Sequence, residues 1–350
     1  MTPSVRARKP NWRRAALRRS ASDRGKRAKV ESVKPKPEAP AAVSQTHGRR
    51  RAVAVLSLLG ATLFWAGNYV VGAAAVQSID PLSLVFLRWS LAVVPLLVVA
   101  QLVERPCWRS VLAAWPWLAA LSVCGLLGYN LLLYFALEHT GPFNASLINA
   151  FNPALITLAA AVFLHERLTP TAVAGVLAAL AGVLIVISGG NFARLVSSGF
   201  GTGELLMVGA IAVWTAYTII GRLAPKIPPI TATAVQAAVA VALLAPVRFA
   251  TGGPSLPANG SALASLLFIA VFPSVLSYLL WNRALTVLPA GGAGVFLNLI
   301  TVFTAILTII AGQVHSTAQL IGGPIVIGGV VLTNAQSFRR RSRSKDTPGT

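Results

Sequence analysis

The chain has 350 residues, 55% of them hydrophobic and only 11% charged, with a mean hydropathy of +0.70. A water-soluble protein of this size carries roughly a quarter charged residues, so the composition excludes an ordinary soluble enzyme or binding domain. A formal net charge of +21 invites a nucleic-acid reading, but 16 of the 30 Lys and Arg precede Ala52 and five follow Phe338, leaving nine for the hydrophobic body.

Residues 1–50 are rich in Arg, Lys, Pro, Ser and Ala and have almost no large apolar side chains. Such a segment cannot bury enough surface to offset its ordering entropy, and it is predicted to be a disordered basic tail. It is too long and polar for the start of a cleaved secretory signal, although its Arg-rich, acid-poor composition also suits an organelle transit peptide. Its basic runs lack interleaved aromatics, so no nucleic-acid partner is expected. The simpler role is to keep the N-terminus in the cytoplasm and to touch anionic membrane lipid. Cys107 and Cys124 have no Cys/His cluster beside them; they predict neither a disulfide framework nor a metal site, and no cofactor is expected.

Ten apolar segments follow: Ala52–Val71, Leu82–Val103, Val111–Leu137, Phe143–Leu164, Thr171–Ser188, Gly203–Ile220, Pro229–Ala250, Ser261–Leu280, Ala290–Ala311 and Ala318–Ala335. Each is about as long as a helix must be to cross the hydrocarbon core of a bilayer. The fourth and fifth meet at a short polar hinge, His165-Glu166-Arg167-Leu168-Thr169-Pro170, in which Thr169 as N-cap and Pro170 at the first helical position mark a helix start. With the N-terminus inside, Arg105, Arg109, Arg167, Arg222, Lys226, Arg283 and both basic tails, including residues 336–350, fall on the cytoplasmic side. The other side receives Arg194 and Arg248 with Asp80 and Glu138. An even number of spans and two cytoplasmic termini satisfy this distribution; nine spans would put a basic tail on the wrong side.

The segments form two related sets. Aligning Gly175 with Gly322 also aligns Gly182 with Gly329, and GATLFWAGNYV (60–70) matches GAIAVWTAYTI (209–219) at Gly60/Gly209 and Trp65/Trp214. The expected fold is therefore an all-α integral membrane protein with ten transmembrane helices in two five-helix repeats, residues 51–189 and 203–335. Five is odd, so the second repeat enters the bilayer from the opposite side and the repeats are inverted. Transporters commonly have this architecture, with the substrate site between the repeats near the midplane.

With these features the sequence resembles the EamA-type members of the drug/metabolite transporter superfamily. The resemblance lies in Gly60-x4-Trp65-Ala66-Gly67-Asn68-Tyr69, Leu87-Arg88-Trp89, Tyr134-Phe135-Ala136-Leu137-Glu138-His139-Thr140, Asn152-Pro153 and His165-Glu166-Arg167-Leu168-Thr169. In the second half it lies in Pro273-Ser274-Val275-Leu276-Ser277-Tyr278 and the following Leu279–Leu285. It implies movement of small metabolites, often export of amino acids or related compounds. It also implies a scaffold and homodimer surface on the fifth and tenth helices, where Gly175, Ala178, Gly182, Gly322, Gly323, Gly328 and Gly329 allow close approach. The chain departs from the family pattern at Gly312-Gln313-Val314-His315, where Gly-Glu is usual, and at Asn298-Leu299-Ile300-Thr301, where a proline is usual.

Polar side chains inside a bilayer are costly and should face the bundle or a water-filled cavity. Trp65, Asn68 and Tyr69 share one face of the first helix, and Trp214 and Tyr217 repeat the arrangement in the sixth. Asn130 and Tyr134 lie one turn apart in the third helix, as do Asn149 and Asn152 in the fourth. Ser274, Ser277, Tyr278 and Trp281 form a stripe in the eighth, and Asn298 pairs with Thr301 in the ninth. These residues are the expected lining of a cavity for a small neutral, zwitterionic or aromatic substrate. The same residue types also join membrane helices or sit at the interface.

Arg88 is the one basic residue well away from a tail, loop or helix end. A structural ion pair with Asp80 or Glu138 near the outer interface is preferred for it over direct contact with a substrate carboxylate. Glu166 reads as a hinge clamp that caps the next helix or pairs with a basic neighbour, in preference to a coupling carboxylate. Walker and hydrolytic motifs are missing, so the expected function is a secondary, gradient-driven transporter in a bacterial inner membrane, not an enzyme. The alternatives are a membrane-embedded enzyme, for which the scattered single acids are unpromising, and a scaffold protein acting through its basic tail.

Overall fold

A computed structural model describes residues 40–191, 193, 200–288 and 293–343. The chain divides into two units, Met1–Thr46 and His47–Thr350, and the second holds the apolar helices. Most of the predicted N-terminal tail, the end of the C-terminal tail and Arg194 lie outside the described residues. Among the described residues every regular element is helical.

Among the described residues, eight helices are long and apolar enough to cross a membrane. They are α1 (Arg49–Ala75), α2 (Pro81–Glu104), α3 (Trp115–Leu137), α4 (Pro142–Phe163), α5 (Pro170–Ser188), α6 (Thr202–Leu223), α7 (Pro229–Ala250) and α8 (Gly260–Leu285). Two shorter apolar helices, α9 (Phe296–Ile310) and α10 (Thr317–Thr333), complete the ten. The expected start of the ninth segment, residues 290–292, lies outside the described residues. Large apolar side chains such as Val94, Val98, Leu177, Val247, Leu267, Ile306 and Leu320 are exposed on these helices, as expected of surfaces solvated by lipid.

The helix starts follow local chemistry. Asp80 caps α2 by accepting the Ser83 N–H at 2.9 Å, Asn259 caps α8 through the Ala262 N–H at 2.8 Å, and Thr169 caps α5 through the Ala172 N–H at 3.2 Å. Pro81 and Pro170 stand in the first turns of α2 and α5, where a missing N–H costs nothing.

The two halves are related by a pseudo-twofold axis that shows most clearly where α5 meets α10. Gly175 lies against Gly329 and Thr333, while its repeat-mate Gly322 lies against Gly182, the repeat-mate of Gly329. Such reciprocal contacts are what a twofold produces. A side chain at Gly175, Gly182, Gly322 or Gly329 would run into backbone of the facing helix, so these glycines let the two helices approach backbone to backbone.

Among the described residues four helices are interrupted within their length, also in symmetric pairs, and α2 ends in a further π turn over Ala100–Glu104. In α3 the turn widens to π geometry over Ser122–Gly128, and in α8 over Phe272–Leu276. α4 parts at Phe151, before Asn152-Pro153, and α9 opens with a tight 3₁₀ turn over Val295–Asn298. Pro153 and Pro273 have no N–H to return to the carbonyls of Asn149 and Ile269, which explains two of the breaks. All four lie beside the central cavity, where irregular backbone is tolerated because it is packed in protein or meets water.

Candidate functional site: a central cavity with an arginine in its wall

A cavity of about 780 Å³ lies between the two halves. Its wall draws on α1, α2, α3 and α4 of the first repeat and on α6, α7, α8 and α9 of the second. It reaches the exposed residues Arg222 and Lys226 at the end of the bundle that carries the 165–169 hinge.

The opposite end is closed by contacts between the halves. The Thr140 hydroxyl donates to Glu204 at 2.8 Å, and Gly203 packs against Thr140 and His139 so closely that a side chain there would clash. The Ser255 N–H donates to Ser83 at 2.8 Å, Gln319 donates to Asn144 at 2.8 Å, and the Phe143 ring meets His315 at 4.2 Å. Asp80 stands 4.0 Å from Arg248, which also bonds Thr251 and the Gly253 carbonyl. Burial works against the charged form of Asp80, but hydrogen bonds from Ser83 and Ser255 and the Arg248 charge hold its carboxyl below the ordinary aspartate value.

Arg88 is 3% exposed and forms part of the cavity wall. Its Nε and Nη2 donate to the Ser274 hydroxyl at 3.0 and 2.8 Å, and its Nη1 donates to Asn130 Oδ1 at 2.7 Å and to the Tyr134 hydroxyl at 2.5 Å. Tyr134 in turn donates to Asn68 Oδ1 at 2.8 Å. The guanidinium also lies 4.9 Å from the Trp89 ring centre and 5.6 Å from that of Tyr134.

The widened turns orient these acceptors. The Asn130 amide nitrogen donates to the Leu126 carbonyl at 2.8 Å, which turns its oxygen towards Arg88. In α8 the Ile269 carbonyl, left without a donor by Pro273, takes the Ser274 hydroxyl at 2.7 Å, so the Ser274 lone pairs face the guanidinium. The interruptions in α3 and α8 thus hold two neutral acceptors in place around a buried cation.

Aromatic rings make up much of the remaining wall. Trp65 donates to the Pro273 carbonyl at 3.2 Å and packs on Tyr278 and Trp281 at 5.7 and 5.5 Å. Trp214 lies 4.9 Å from both Tyr129 and Tyr217. The Tyr129 hydroxyl bonds Tyr69 at 2.8 Å and Asn149 at 3.1 Å. Gly125, in the widened turn of α3, leaves room for the Tyr217 ring, which a methyl group there would meet at 2.5 Å.

Most residues expected to line a cavity are brought to this one: Trp65, Asn68, Tyr69, Asn130, Asn149, Asn152, Trp214, Tyr217, Tyr278, Trp281 and Asn298. Four stand elsewhere. Tyr134 and Ser274 are fully buried behind the wall, on Arg88, Ser277 donates to the Ala61 carbonyl at 3.1 Å and joins α8 to α1, and Thr301 donates to the Ser146 carbonyl at 2.9 Å and joins α9 to α4.

The ion pair preferred for Arg88 does not form. Asp80 caps α2 and faces Arg248, Glu138 is exposed, and Arg88 points into the bundle instead of snorkelling to an interface. Glu166 does not cap α5, whose N-cap is Thr169; it pairs with Arg222 of the second half at 3.0 Å, both side chains being well exposed.

Tyr129 and Gln236 also stand in the cavity wall, and neither was expected there from the sequence. Gln236 is the one amide of α7 and lies in its apolar middle, and the cost of a polar group inside such a run is a usable signal. Tyr129 adjoins Asn130 and falls off the Asn130–Tyr134 face of a regular helix, so the spacing argument missed it.

Residues 52–188 and 201–335 each match the EamA-like transporter family. The chain is 28% identical over 285 residues to an uncharacterized transporter, YyaM, of Bacillus subtilis, covering 80% of this chain and 92% of that protein. It is 26% identical over 235 residues to a probable terminal-alkyne amino-acid exporter of Streptantibioticus cattleyicolor, covering 67% and 77%. It is also 26% identical over 232 residues to the aromatic amino acid exporter YddG of Ancylobacter novellus, covering 64% and 78%. A crystal structure with 22% sequence identity superposes with a TM-score of 0.56 over 81% of this chain and 98% of the other, which shows the shared fold.

Proposed function

The chain belongs to the EamA-like transporter family, and from that premise we propose that it is a gradient-driven exporter of an amino acid or a related small metabolite, moved by alternating access through the central cavity. The observation that carries this reading is the cavity itself: it lies between inverted repeats, reaches one end of the bundle and is closed at the other. Its wall of amide, hydroxyl and ring groups suits a small polar molecule with an apolar or aromatic body. Two similar proteins that bear the names of amino-acid exporters support that choice of class.

The basic loops support an orientation in a bacterial inner membrane with the hinge end of the bundle and both termini on the cytoplasmic side. On this reading the conformation described is the inward-facing one, ready to accept a substrate from the cell. The Glu166–Arg222 pair then stands beside the entrance, where an exposed ion pair contributes about 0–1 kcal/mol and can break without large cost.

Counterflow in proteoliposomes tests the function. Vesicles preloaded with unlabelled amino acid should accumulate the labelled form of at least one member of a panel of aromatic and aliphatic amino acids. Exchange no faster than in protein-free vesicles across the whole panel would refute the reading. The orientation has its own test in a chain whose Cys107 and Cys124 are replaced by serine. A cysteine at the cavity wall, Asn149→Cys, should react with an impermeant maleimide in inside-out vesicles and stay protected in right-side-out ones.

A further inference from the structure

We propose that Arg88 is the anchor for a carboxylate, and that the cavity selects small organic acids by that group and does not require an α-amino group. The inference rests on the transport reading and specifies what its cavity recognises. Three observations carry it. The first is charge: Arg88 is buried, yet each of its hydrogen-bond partners is neutral, and no Asp or Glu lines the cavity among the described residues. A buried cation held only by dipoles is left without the compensation that a buried ion pair provides, and an arriving anion supplies it.

The second observation is valence. Five N–H groups leave a guanidinium; the Nε–H, both Nη1–H and one Nη2–H are taken up by Ser274, Asn130 and Tyr134. One Nη2–H remains without an acceptor among the described residues, on a side chain that forms part of the cavity wall. The third is preorganisation. Asn130 and Ser274 are fixed as acceptors by their own bonds to the Leu126 and Ile269 carbonyls, so the guanidinium is held in one orientation before any ligand arrives. A fixed guanidinium meets a carboxylate through strong charge-assisted hydrogen bonds without first reordering its surroundings.

The rest of the cavity provides no acid for a substrate ammonium. What it offers beside Arg88 are the ring faces of Trp65, Tyr129, Trp214 and Tyr278, which suit the body of an aromatic or aliphatic acid. Arg222 at the hinge-end opening is paired with Glu166, while Lys226 beside it adds positive charge along the route and favours entry of an anion.

The test uses the whole purified protein in lipid nanodiscs and follows tryptophan fluorescence and thermal unfolding with three probes of one shape: 3-phenylpropionate, phenylalanine and phenethylamine. The two carboxylates should bind with affinities within about tenfold of each other, and phenethylamine should bind at least about tenfold more weakly, the difference expected for losing hydrogen bonds to a charged group. Arg88→Gln should lose the preference for carboxylate over amine. If that variant does not fold, Arg88→Lys, which keeps the charge but not the fork, should retain the preference with weaker binding.

Phenethylamine binding as tightly as the acids would overturn the proposal and leave the transport reading intact. So would phenylalanine binding where phenylpropionate does not. A chloride-for-gluconate exchange separates an inorganic source of the anion: if chloride alone stabilises the protein and no organic acid competes with it, the carboxylate assignment fails. Failure of the cavity reading itself has a different signature, with none of the three probes altering the fluorescence and Asn149→Cys unreactive to maleimide from either face.

Discussion

Tyr134 joins two partners that would otherwise be poorly served: its hydroxyl accepts from Arg88 and donates to Asn68. Tyr134→Phe removes both bonds while keeping the ring against Arg88, and leaves Asn68 as an Arg88 acceptor only at 3.5 Å. The loss is expected to be about 1–3 kcal/mol of stability, the usual range when a buried charged donor loses a partner. Thermal unfolding in detergent or nanodiscs measures it, and wild-type stability in the variant would show that the bond carries no weight. The residues of this network were legible as polar groups inside apolar segments, but their roles were not. Spacing along one helix shows which side chains share a face; it does not show that Ser274, 186 positions from Arg88, lies beside it. The pairing of Arg88 with Asp80 or Glu138 was argued from membrane depth alone. It failed because the acids are used at the helix end and the surface, and because neutral acceptors in two other helices take their place.

Among the elements, α2 and α7 are tied by a bond that the sequence did not announce. Both Glu104 oxygens serve the N-terminus of α7: Oε1 accepts the Ile230 N–H at 2.9 Å, and Oε2 accepts the Thr231 N–H and hydroxyl at 2.7 Å each. A carboxylate there satisfies free N–H groups and complements the positive end of the helix dipole. Glu104→Ala should therefore cost about 1–2 kcal/mol in thermal unfolding, and Glu104→Gln less. An unchanged melting temperature for Glu104→Ala would show that water replaces the carboxylate freely. The ten helices themselves were readable because a bilayer demands long apolar runs, and the repeat was readable from paired Gly and Trp positions. The interruptions were not, since a widened turn has the same hydropathy as a regular one. Pro153 and Pro273 mark two of the four breaks; the turns at Ser122–Gly128 and Val295–Asn298 contain no proline and leave no such mark.

For the molecule as a whole, the closed end is a seam of a few polar contacts, with Thr140–Glu204 joining α6 to the segment between α3 and α4. Glu204→Leu removes that bond and should shift the population towards opening at this end. Labelling of Asn149→Cys by external maleimide should then rise severalfold, because a small loss of stability in one state shifts a balanced two-state equilibrium by such factors. Unchanged external labelling would mean that the seam is held by packing alone. The α5–α10 contact behaves differently from that seam. Backbone seated on backbone at Gly175, Gly182, Gly322 and Gly329 leaves little freedom for one helix to slide past the other without collision. Each of these two helices is joined to the preceding helix of its own repeat by a connection containing a left-handed residue, His165 in one and Gly312 in the other. If the protein works by alternating access, as proposed, the couple would serve as a stator common to both repeats, and the rocking that exchanges one opening for the other would fall to the remaining eight helices, with those two joints as pivots.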